Sequence, residues 1–463
     1  MQPPRSLWWS TLPGAVAPRA GLSEHLDLDV AIVGGGFTGL WTARELKRRD
    51  ASLRIAVLER SVCGFGASGR NGGWASAYFP LSDEAVITRH GREAFDHLRL
   101  TLQQAVPALG EAARADGVDA HFIQGGTLKF ARSEMQARRL RASVEAAHDV
   151  GYRPEDLMWL DEDELRDRAR PSRALGAIYS PHCARIHPAR LVRGLADVVE
   201  SLGVAIFENT TVTRILGARA GRSAEAVTLG ASVHARYVVR ATEGFTPTLP
   251  GERRRVVPLY SLMIATEPQS ESFFDEIGLR HYETFADGRH LIIYGQRTDD
   301  DRLAFGGRGA PYHFASAVEE RYDENPRVFA LLAQTLGDLF PALEGGITHR
   351  WGGPLAMPRD HSPYVLVEPA SGLASAGGYT GDGVVMSYVA ANCLADLITA
   401  PEIETEFTSL PFVNHRGRSW EFEPLRWLGI NAGLGLATWA DRVEGRDHRE
   451  SRAGHLLDRL LEG

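Results

Sequence analysis

The sequence predicts an α/β protein, in which a domain built on a parallel sheet is interleaved with an α+β domain built on an antiparallel sheet. Two observations carry this prediction. A strand, a glycine-rich turn, a helix and a second strand follow one another over residues 28–60, which makes one βαβ unit. Three apolar runs, "LYSLMIATE", "RHLIIYGQRT" and "RLAFGGRG", come later with little helix between them, as in an antiparallel sheet appended to an α/β domain.

The individual elements follow from their hydrophobic patterns. "LDVAIV" at 28–33 and "RIAVLER" at 54–60 are typical of buried parallel strands, and Leu40, Ala43 and Leu46 recur at helical spacing between them. Further strands are predicted at "QGGTLKFA", "VAIFENTTVTRI" and "HARYVVRAT". Helical patterns cover 84–118, 134–150, 187–203 and 377–398, the last of which starts as a glycine-rich turn.

The composition is that of an ordinary globular protein. Of the 463 residues, 44% are hydrophobic and 24% are charged, and the chain is long enough for more than one domain. The net charge of −8 argues against a nucleic-acid binder, which needs a basic face. The chain has no run of eighteen apolar residues, so we predict no transmembrane segment.

The cysteines and the N-terminus predict a cytoplasmic protein. Cys63, Cys183 and Cys393 have neither metal-ligand nor redox-pair spacing, so we predict no metal site and no disulfide framework. A reducing cytoplasm fits this pattern. The N-terminus lacks the apolar segment of a secretory signal, and residues 1–27 predict an arm with little regular structure.

The first of two glycine motifs has the context of a dinucleotide site. Gly34, Gly36 and Gly39 fit G-x-G-x-x-G directly after a strand and at the start of a helix. Glycines there let the backbone turn tightly and approach a pyrophosphate, whose charge meets the helix N-terminus. Glu59 lies twenty residues past Gly39 at the end of the next strand, where a carboxylate accepts ribose hydroxyls. The motif therefore predicts a Rossmann-like domain.

The second motif, "CGFGASGRNGG", predicts a different contact. Gly64, Gly66 and Gly69 fit the same pattern, but the region about twenty residues later, "ITRHGREAF", looks helical and supplies no acid at a strand end. The loop leaves the carboxyl edge of a parallel strand, where ligands of open α/β sheets bind. Its small residues would let the backbone lie flat against a planar group such as a flavin ring. A side chain at Gly72 or Gly73 should then push into that ring space.

Four segments together carry a resemblance to a known family. They are "VAIVGGGFTGLWTARELKRR", "VLERSVCGFGASGRNGG", "RYVVRATEGFT" and "GGYTGDGVVMSYVAANCLADLI". In this order they resemble the D-amino-acid-oxidase-type (DAO) FAD-dependent oxidoreductases, from about Leu28 to Ile398. The G-x-G-A-S-G-R-N-G-G loop is most similar to the branch of γ-glutamylputrescine oxidase and related bacterial amine oxidoreductases. The resemblance implies FAD as the cofactor and an FAD-binding Rossmann-like domain of the glutathione-reductase type.

The resemblance also implies which residues hold FAD. They are Gly34, Gly36, Phe37, Thr38 and Gly39 at the pyrophosphate, Glu59 and its neighbour Arg60 at the ribose, Ala67, Ser68, Arg70, Asn71, Gly72 and Gly73 along the flavin, Val212 at the adenine, Ala241 and Thr242 at a further strand end, and Gly378, Tyr379, Gly381, Gly383 and Val384 in the late glycine-rich turn. At this late turn a helix N-terminus would face the flavin and stabilise negative charge on it. The alternative is that these glycines only close turns.

Candidates for chemistry lie mainly on the antiparallel strands that should cover the flavin. They are Tyr260, Tyr294, Arg297 and Arg308, with His187 at a helix start and Lys129, Trp351 and His361 as further polar residues. An arginine fork is the usual grip on a carboxylate, but an arginine can equally form a surface ion pair. Each tyrosine can equally be a core aromatic. His187 precedes Pro188, where a helix cap is as good an interpretation as a catalytic role.

A covalent link to FAD stays open at one cysteine. Cys63 lies at the base of the second glycine loop and Cys393 lies inside a helix, so neither is placed for it. Cys183, in "SPHCARIHP", remains a candidate.

The domain prediction divides the chain between the two sheets. Residues 1–83, 176–257 and 346–400 are assigned to the FAD-binding domain, residues 84–175 and 258–345 to the substrate domain, and residues 401–463 to a C-terminal tail. An apolar run in the tail is too short to span a bilayer. It is interpreted as a docking helix, a subunit contact or an interfacial anchor, with the first two favoured.

The predicted function is oxidation of a C–N bond of a primary or secondary amine, or of an amino acid, to an imine by hydride transfer to FAD. Its partners would be that small molecule and molecular oxygen or another electron acceptor; a homo-oligomer and the choice between oxidase and dehydrogenase stay open. A flavin monooxygenase or halogenase would share the first fingerprint, but its late motif reads G-D-A-A-H where this chain has "GYTGDGVV". A flavoprotein subunit that passes electrons to a partner, or an FAD-binding module without activity, is the other alternative.

Overall fold

The structure is a computed structural model that describes residues 5–307 and 309–447. The strands are β1 (Leu26–Val33), β2 (Ile55–Leu58), β3 (Trp74–Ser76), β4 (Thr127–Phe130), β5 (Met158–Leu160), β6 (Ala177–Ser180), β7 (Cys183–Arg185), β8 (Ala205–Phe207), β9 (Arg214–Leu216), β10 (Ala224–Val227), β11 (Ser232–Arg240), β12 (Val256–Thr266), β13 (Thr284–Asp287), β14 (Ile293–Arg297), β15 (Leu303–Gly307), β16 (Ile347–Pro358), β17 (Tyr364–Glu368) and β18 (Leu373–Gly377). The helices are α1 (Leu7–Ser10), α2 (Phe37–Arg49), α3 (Asp83–His90), α4 (Arg92–Ala115), α5 (Glu134–Asp149), α6 (Glu162–Arg166), α7 (Pro188–Ser201), α8 (Glu271–Ile277), α9 (Pro326–Leu339), α10 (Gly383–Thr399) and α11 (Leu425–Asp447).

The first sheet has the strand order β17-β18-β11-β1-β2-β8, with β10 paired to β11 and β9 paired to β10. Its central strands β18, β11, β1, β2 and β8 are parallel. The second half of β1 and all of β2 are buried, as expected of strands covered on both faces. This sheet carries the predicted βαβ unit, with α2 between β1 and β2.

The second sheet has the order β16-β12-β15-β14-β13-β4-β6-β5. Its pairs are antiparallel except for β13 with β4. One face packs on α8 and α9 through a core that includes Phe273, Phe274, Leu332 and Leu336. The opposite face lines a large cavity.

Two strands belong to a different sheet from the one that the predicted domain boundaries imply. The other boundaries remain predictions. β6 and β16 fall in ranges assigned to the FAD-binding domain, yet both belong to the antiparallel sheet. β16 pairs with β12 from Ile347↔Thr266 to Pro358↔Val256, so one long ribbon runs from the second sheet toward the first.

Both ends of the described chain fold back onto the protein. In the N-terminal arm, α1 is a short helix whose Trp8 is 2% exposed. In the tail, the Asp441 carboxylate accepts hydrogen bonds from the backbone amides of His290 (2.7 Å) and Leu291 (2.9 Å). Within the two described ranges, no helix combines the length and the apolar character that crossing a membrane requires.

Candidate active site

A cavity of about 1460 Å³ lies between the carboxyl edge of the parallel sheet and the inner face of the antiparallel sheet. A pocket for one small ligand typically measures about 300–1,000 Å³, so this cavity has room for more than one group. Its wall includes the last residues of β1 and β2, the start of α2, the second glycine loop, the start of α10 and part of α11.

The first glycine turn leaves no space for side chains. Gly34 has φ +114°, and a Cβ there would lie 2.4 Å from the carbonyl oxygen of Ala241. A Cβ at Gly39 would lie 2.0 Å from the carbonyl oxygen of Gly34. Gly34 and Gly36 line the cavity, whereas Gly39 provides the close packing of α2 beneath the turn. This arrangement is the one a pyrophosphate cradle needs.

Glu59 is held at the end of β2 by two backbone amides. Its carboxylate accepts hydrogen bonds from Gly35 (2.8 Å) and Ser61 (2.9 Å) and lines the cavity. Burial raises the pKa of Glu59, and the two amide donors oppose that change. The neighbouring Arg60 places its guanidinium 4.5 Å from the ring centre of Phe245.

The second glycine loop is braced from several sides. Ser68 Oγ accepts a hydrogen bond from the Phe37 amide at 2.8 Å, which ties the loop to the start of α2. Trp8 Nε1 donates to the Asn71 carbonyl and Trp351 Nε1 donates to the Arg70 carbonyl, both at 2.8 Å. The loop is therefore a supported wall of the cavity.

At two glycines of this loop, an added side chain would point at protein atoms and not at the flavin space that the sequence predicted. A Cβ at Gly72 would lie 2.5 Å from the ring of Tyr294. A Cβ at Gly73, which has φ +72°, would lie 1.9 Å from Gln296 Nε2 and 2.5 Å from the Ile186 carbonyl oxygen. Gly72 lines the cavity but Gly73 does not. The expectation that an added side chain would enter the space of the flavin ring is therefore wrong. A side chain at Gly72 or Gly73 would instead clash with protein atoms, because the register of β14 brings Tyr294 and Gln296 under the loop.

Arg70 lines the cavity, but its side chain also joins the two sheets. Its Nη1 donates to Asp323 Oδ2 at 2.6 Å and to the Gly352 carbonyl oxygen at 3.0 Å. Its guanidinium lies 5.2 Å from the ring centre of Phe65. These contacts assign the guanidinium to an ion pair between the second glycine loop and the segment that precedes α9.

The late glycine-rich turn closes against the first one. Tyr379 Oη and Thr38 Oγ1 are 3.0 Å apart and hydrogen-bonded. Gly378, with φ +76°, leads into the turn, and α10 begins at Gly383. A Cβ at Gly378 would lie 2.5 Å from the Pro358 ring, so Gly378 packs on β16 and does not line the cavity.

Glu243 is a site residue that the sequence did not single out. It follows β11, has φ +39° and lines the cavity. Its carboxylate accepts hydrogen bonds from the amides of Gly378 (3.0 Å) and Ala356 (3.3 Å). Burial raises the pKa of Glu243 to about 7, against the effect of these donors. The sequence signal that could have identified Glu243 is an acidic residue directly after "RAT", at the end of a predicted strand.

The structure brings most of the implied FAD residues to this one cavity. Those that line it are Gly34, Gly36, Phe37, Thr38, Glu59, Arg60, Ala67, Ser68, Arg70, Asn71, Gly72, Val212, Ala241, Thr242, Tyr379, Gly381, Gly383 and Val384. Gly39, Gly73 and Gly378 pack just behind the wall.

The antiparallel sheet contributes alternate residues to the cavity floor. On β12 these are Leu259, Ser261 and Met263, and on β14 Tyr294 lines the cavity together with Ile293 at the start of the strand. Tyr294 Oη and Ser261 Oγ are 2.8 Å apart. A strand sends successive side chains to opposite faces, so Tyr260 points away into the core.

Tyr260 and Arg297 are therefore not at the cavity. Tyr260 is 2% exposed, and its hydroxyl accepts from the Glu319 amide at 3.3 Å. Arg297 forms an ion pair with Asp301 at 2.6 Å, and its guanidinium lies 3.7 Å from the ring centre of Phe274. Both were candidates for chemistry, and strand parity places both on the far face of the sheet.

The other candidates divide between the cavity and the protein interior. Lys129 and His361 line the cavity, whereas Trp351 is buried against α1. Arg308 lies outside the described residues. Cys183 is fully buried, lies 3.3 Å from Thr284 Oγ1 and does not line the cavity. Burial raises the pKa of its thiol to about 12, so nothing here prepares it to bond to a cofactor.

His187 caps a helix. Its Nδ1 accepts a hydrogen bond from the Arg190 amide at 3.2 Å, and its Nε2 lies 3.0 Å from Thr11 Oγ1. Burial lowers the pKa of His187 to about 3, so the ring is neutral at pH 7. Since Nδ1 accepts, the proton is on Nε2. His187 does not line the cavity.

We expect His187→Ala to lower the free energy of unfolding by about 1 kcal/mol, the usual cost of losing an N-cap. The rate per bound FAD should not change. Urea unfolding and steady-state kinetics measure the two quantities, and His187→Asn, which can still cap, is the matched control. A large fall in rate with unchanged stability would return His187 to the catalytic candidates.

The residues present fit FAD. Two helix N-termini, those of α2 and α10, line one cavity, which suits a ligand with anionic groups. The glycine turns between them are closed to side chains. The cavity continues onto the antiparallel floor, so the same space can hold a cofactor and a substrate.

Comparison with known proteins agrees with this geometry. Residues 29–397 match the DAO family, described as FAD dependent oxidoreductase. The chain is similar to γ-glutamylputrescine oxidoreductase of Escherichia coli (28% identity, covering 88% of this chain and 92% of that one). It is also similar to probable oxidoreductase OrdL of Haemophilus influenzae (26% identity, covering 81% and 83%).

Among solved structures, glycine oxidase from Geobacillus kaustophilus has the same fold. The TM-score is 0.70 at 24% identity, covering 85% of this chain and all of that one. The predicted family, fold class and FAD-dependent oxidoreductase activity are confirmed by these comparisons. The match over most of its length establishes that the chain belongs to the DAO family of FAD-dependent oxidoreductases.

Proposed function

We propose that this chain oxidises the C–N bond of a primary or secondary amine, or of an amino acid, to an imine that then hydrolyses, with the substrate on the antiparallel floor of the cavity. One observation carries the proposal. Both glycine loops and the floor residues Ser261 and Tyr294 line the same cavity. The similar proteins support it, because the names of two of them refer to γ-glutamylputrescine and glycine, which are both amines.

The proposed cofactor contacts follow the layout of the wall. Gly34, Gly36 and the start of α2 would hold the pyrophosphate, where backbone amides and the helix dipole favour an anion. Glu59 would accept the ribose hydroxyls. The loop 67–72 and the start of α10 would hold the flavin.

Hydride transfer from an amine to a flavin requires no acid/base pair from the protein side chains. FAD, when bound, supplies the acceptor for a hydride from the carbon beside nitrogen. Leu259 and Met263 make the floor largely apolar, and apolar surroundings favour a neutral amine over its ammonium form. The hydrogen-bonded pair of Ser261 and Tyr294 would orient that amine.

Other predictions about the protein remain proposals. We propose that the electrons pass to molecular oxygen or to another acceptor. The cytoplasmic location predicted from the cysteines, and a homo-oligomeric state, stay predictions.

A panel of primary amines, secondary amines and amino acids tests the function on the purified protein, which we expect to be yellow. We expect acid denaturation to release FAD, and at least one panel member to bleach the flavin absorbance without oxygen. Peroxide formation and dye reduction, measured separately, then distinguish an oxidase from a dehydrogenase. Bleaching by NADPH but by no amine would instead favour the monooxygenase alternative, and bleaching by neither would favour an electron-transfer subunit.

A further inference from the structure

The antiparallel floor carries a continuous row of residues that leads away from the second glycine loop. Met263 pairs with Gly306, Gly306 with Tyr294, Tyr294 with Ala286, and Ala286 with Lys129. Residues paired in this way present their side chains on the same face of a sheet. Tyr294 lies against Gly72, and Lys129 lies two strands farther on. At the usual strand spacing, this separation is about 10 Å.

Small and apolar residues contribute to the wall near Tyr294 and Lys129, although Asp287, Arg289 and His290 line the cavity as well. Ala286 is the residue between them, and it lines the cavity together with both. Leu434 and Ala437 of α11 also line the cavity. A chain of methylene groups would fit such a trough.

Lys129 is a cation without a counterion among the described residues. None of them forms an ion pair or a hydrogen bond with its Nζ. Asp287, a nearby carboxylate, is engaged by Arg289 through contacts of 2.6, 2.7 and 2.9 Å. Desolvation and the charge of Arg139 lower the pKa of Lys129, and the charge of Asp287 opposes them. The Lys129 side chain is exposed on the cavity side of β4, so an anionic ligand in the cavity can reach its ammonium group.

Most other cations on the cavity wall already have partners. Arg359 pairs with Glu421, Arg426 with Glu423, and Arg289 with Asp287. Arg89, on α3, is exposed and lines the same cavity. It is therefore the second candidate for binding an anion, and the test below includes it.

We propose that Lys129 binds a carboxylate of the substrate that lies several carbon atoms away from the reacting C–N bond. The proposal rests on the proposed function, which places the reacting bond beside Tyr294. It makes the substrate an elongated amino compound with an anionic far end, held across the floor of the cavity. A carboxylate on the reacting carbon itself would lie too far from Lys129 to be bound by it.

A labelling experiment tests this binding without requiring turnover. Lys47 and Lys129 are the two lysines of the chain. Lys47 lies on α2, where its Nζ donates to the carbonyls of Ala51 and Leu53. Acylation of the FAD-loaded protein by acetic anhydride, measured by mass spectrometry, therefore gives a test site and a control site in one molecule. We expect octanoate to slow acylation of Lys129 severalfold and not that of Lys47, and 1-octanol to slow neither.

A kinetic experiment tests whether Lys129 distinguishes substrates with a distal carboxylate from those without one. We expect Lys129→Met to raise KM for 8-aminooctanoate by about tenfold to a hundredfold, the usual effect of losing a charged hydrogen bond. KM for octylamine and both kcat values should change little. Lys47→Met is the matched control and should leave all four constants unchanged.

Three results would overturn the proposal. They are equal labelling of Lys129 with and without octanoate, an equal effect of Lys129→Met on both amines, and a rise in KM for 8-aminooctanoate in Arg89→Met but not in Lys129→Met. If neither amine is oxidised, the labelling result decides the proposal alone, so failure of the proposed function and failure of the anchor remain distinguishable.

Discussion

Gly34→Ala is expected to abolish stable FAD binding, lowering the affinity by about a hundredfold or more, which corresponds to about 2.8 kcal/mol. Two causes act together. Gly34 has φ +114°, which residues with a Cβ rarely adopt, and the added methyl group would lie 2.4 Å from the backbone oxygen of Ala241. Relief of that contact must move the end of β1 away from the end of β11, and both ends line the cavity. Flavin fluorescence quenching on titration of the apoprotein measures the dissociation constant.

Gly203→Ala separates these two causes. Gly203 also has a positive φ, +82°, but a Cβ there would have no heavy atom within 4 Å. We expect this variant to lose about 1 kcal/mol of stability and to bind FAD as the parent protein does. Equal FAD affinities for the two variants would show that the Gly34 turn tolerates a side chain, and would remove it from the proposed cofactor site.

Arg70→Met is expected to lower the free energy of unfolding by about 3 kcal/mol, the lower end of the range for breaking a buried ion pair. The lower end applies because the Asp323 side chain remains 21% exposed, while that of Arg70 is 5% exposed. The change leaves Asp323 without its 2.6 Å partner and the Gly352 carbonyl without a donor. Urea unfolding in excess FAD measures the loss.

Two further variants interpret that result. Arg321→Met removes an exposed ion pair with Glu319 (2.8 Å) in the same segment and should change stability little. The double variant Arg70→Met, Asp323→Leu should recover much of the loss, because no unpaired charge remains. If Arg70→Met leaves stability unchanged but removes FAD, the guanidinium acts on the cofactor, as the family resemblance implied, and not on the contact between the sheets.

The local signals in the sequence were sufficient for the βαβ unit. The apolar run at 28–33, the glycines and Glu59 specify a strand, a turn and an acid within 32 residues, and each depends on its immediate neighbours in the chain. The predicted helix 84–118 shows the limit of such signals. It is two helices, α3 and α4, because Gly91 has φ +87° and ends the first.

The catalytic candidates were harder to predict from the sequence, because their roles depend on which face of a strand each side chain occupies. In "LYSLMIATE" the tyrosine attracts attention as a polar aromatic, yet the neighbouring Ser261 is the residue that faces the cavity. A shift by one residue exchanges the two faces of a strand. The sequence identifies β12 as a strand, but only its partners β15 and β16 decide which of its faces packs on α9.

The sequence by itself determined the βαβ unit, the glycine-rich turns and the family, since these depend on residues close together in the chain. The tertiary structure alone decided what lies across the cavity from those turns. Tyr294 lies under Gly72 and Gln296 lies under Gly73, in each case more than 220 residues later in the chain. Helix α11 forms part of the wall although the family match ends at residue 397. Contacts of this kind come from sheet register and from the packing of distant segments, and no periodicity within one segment encodes them.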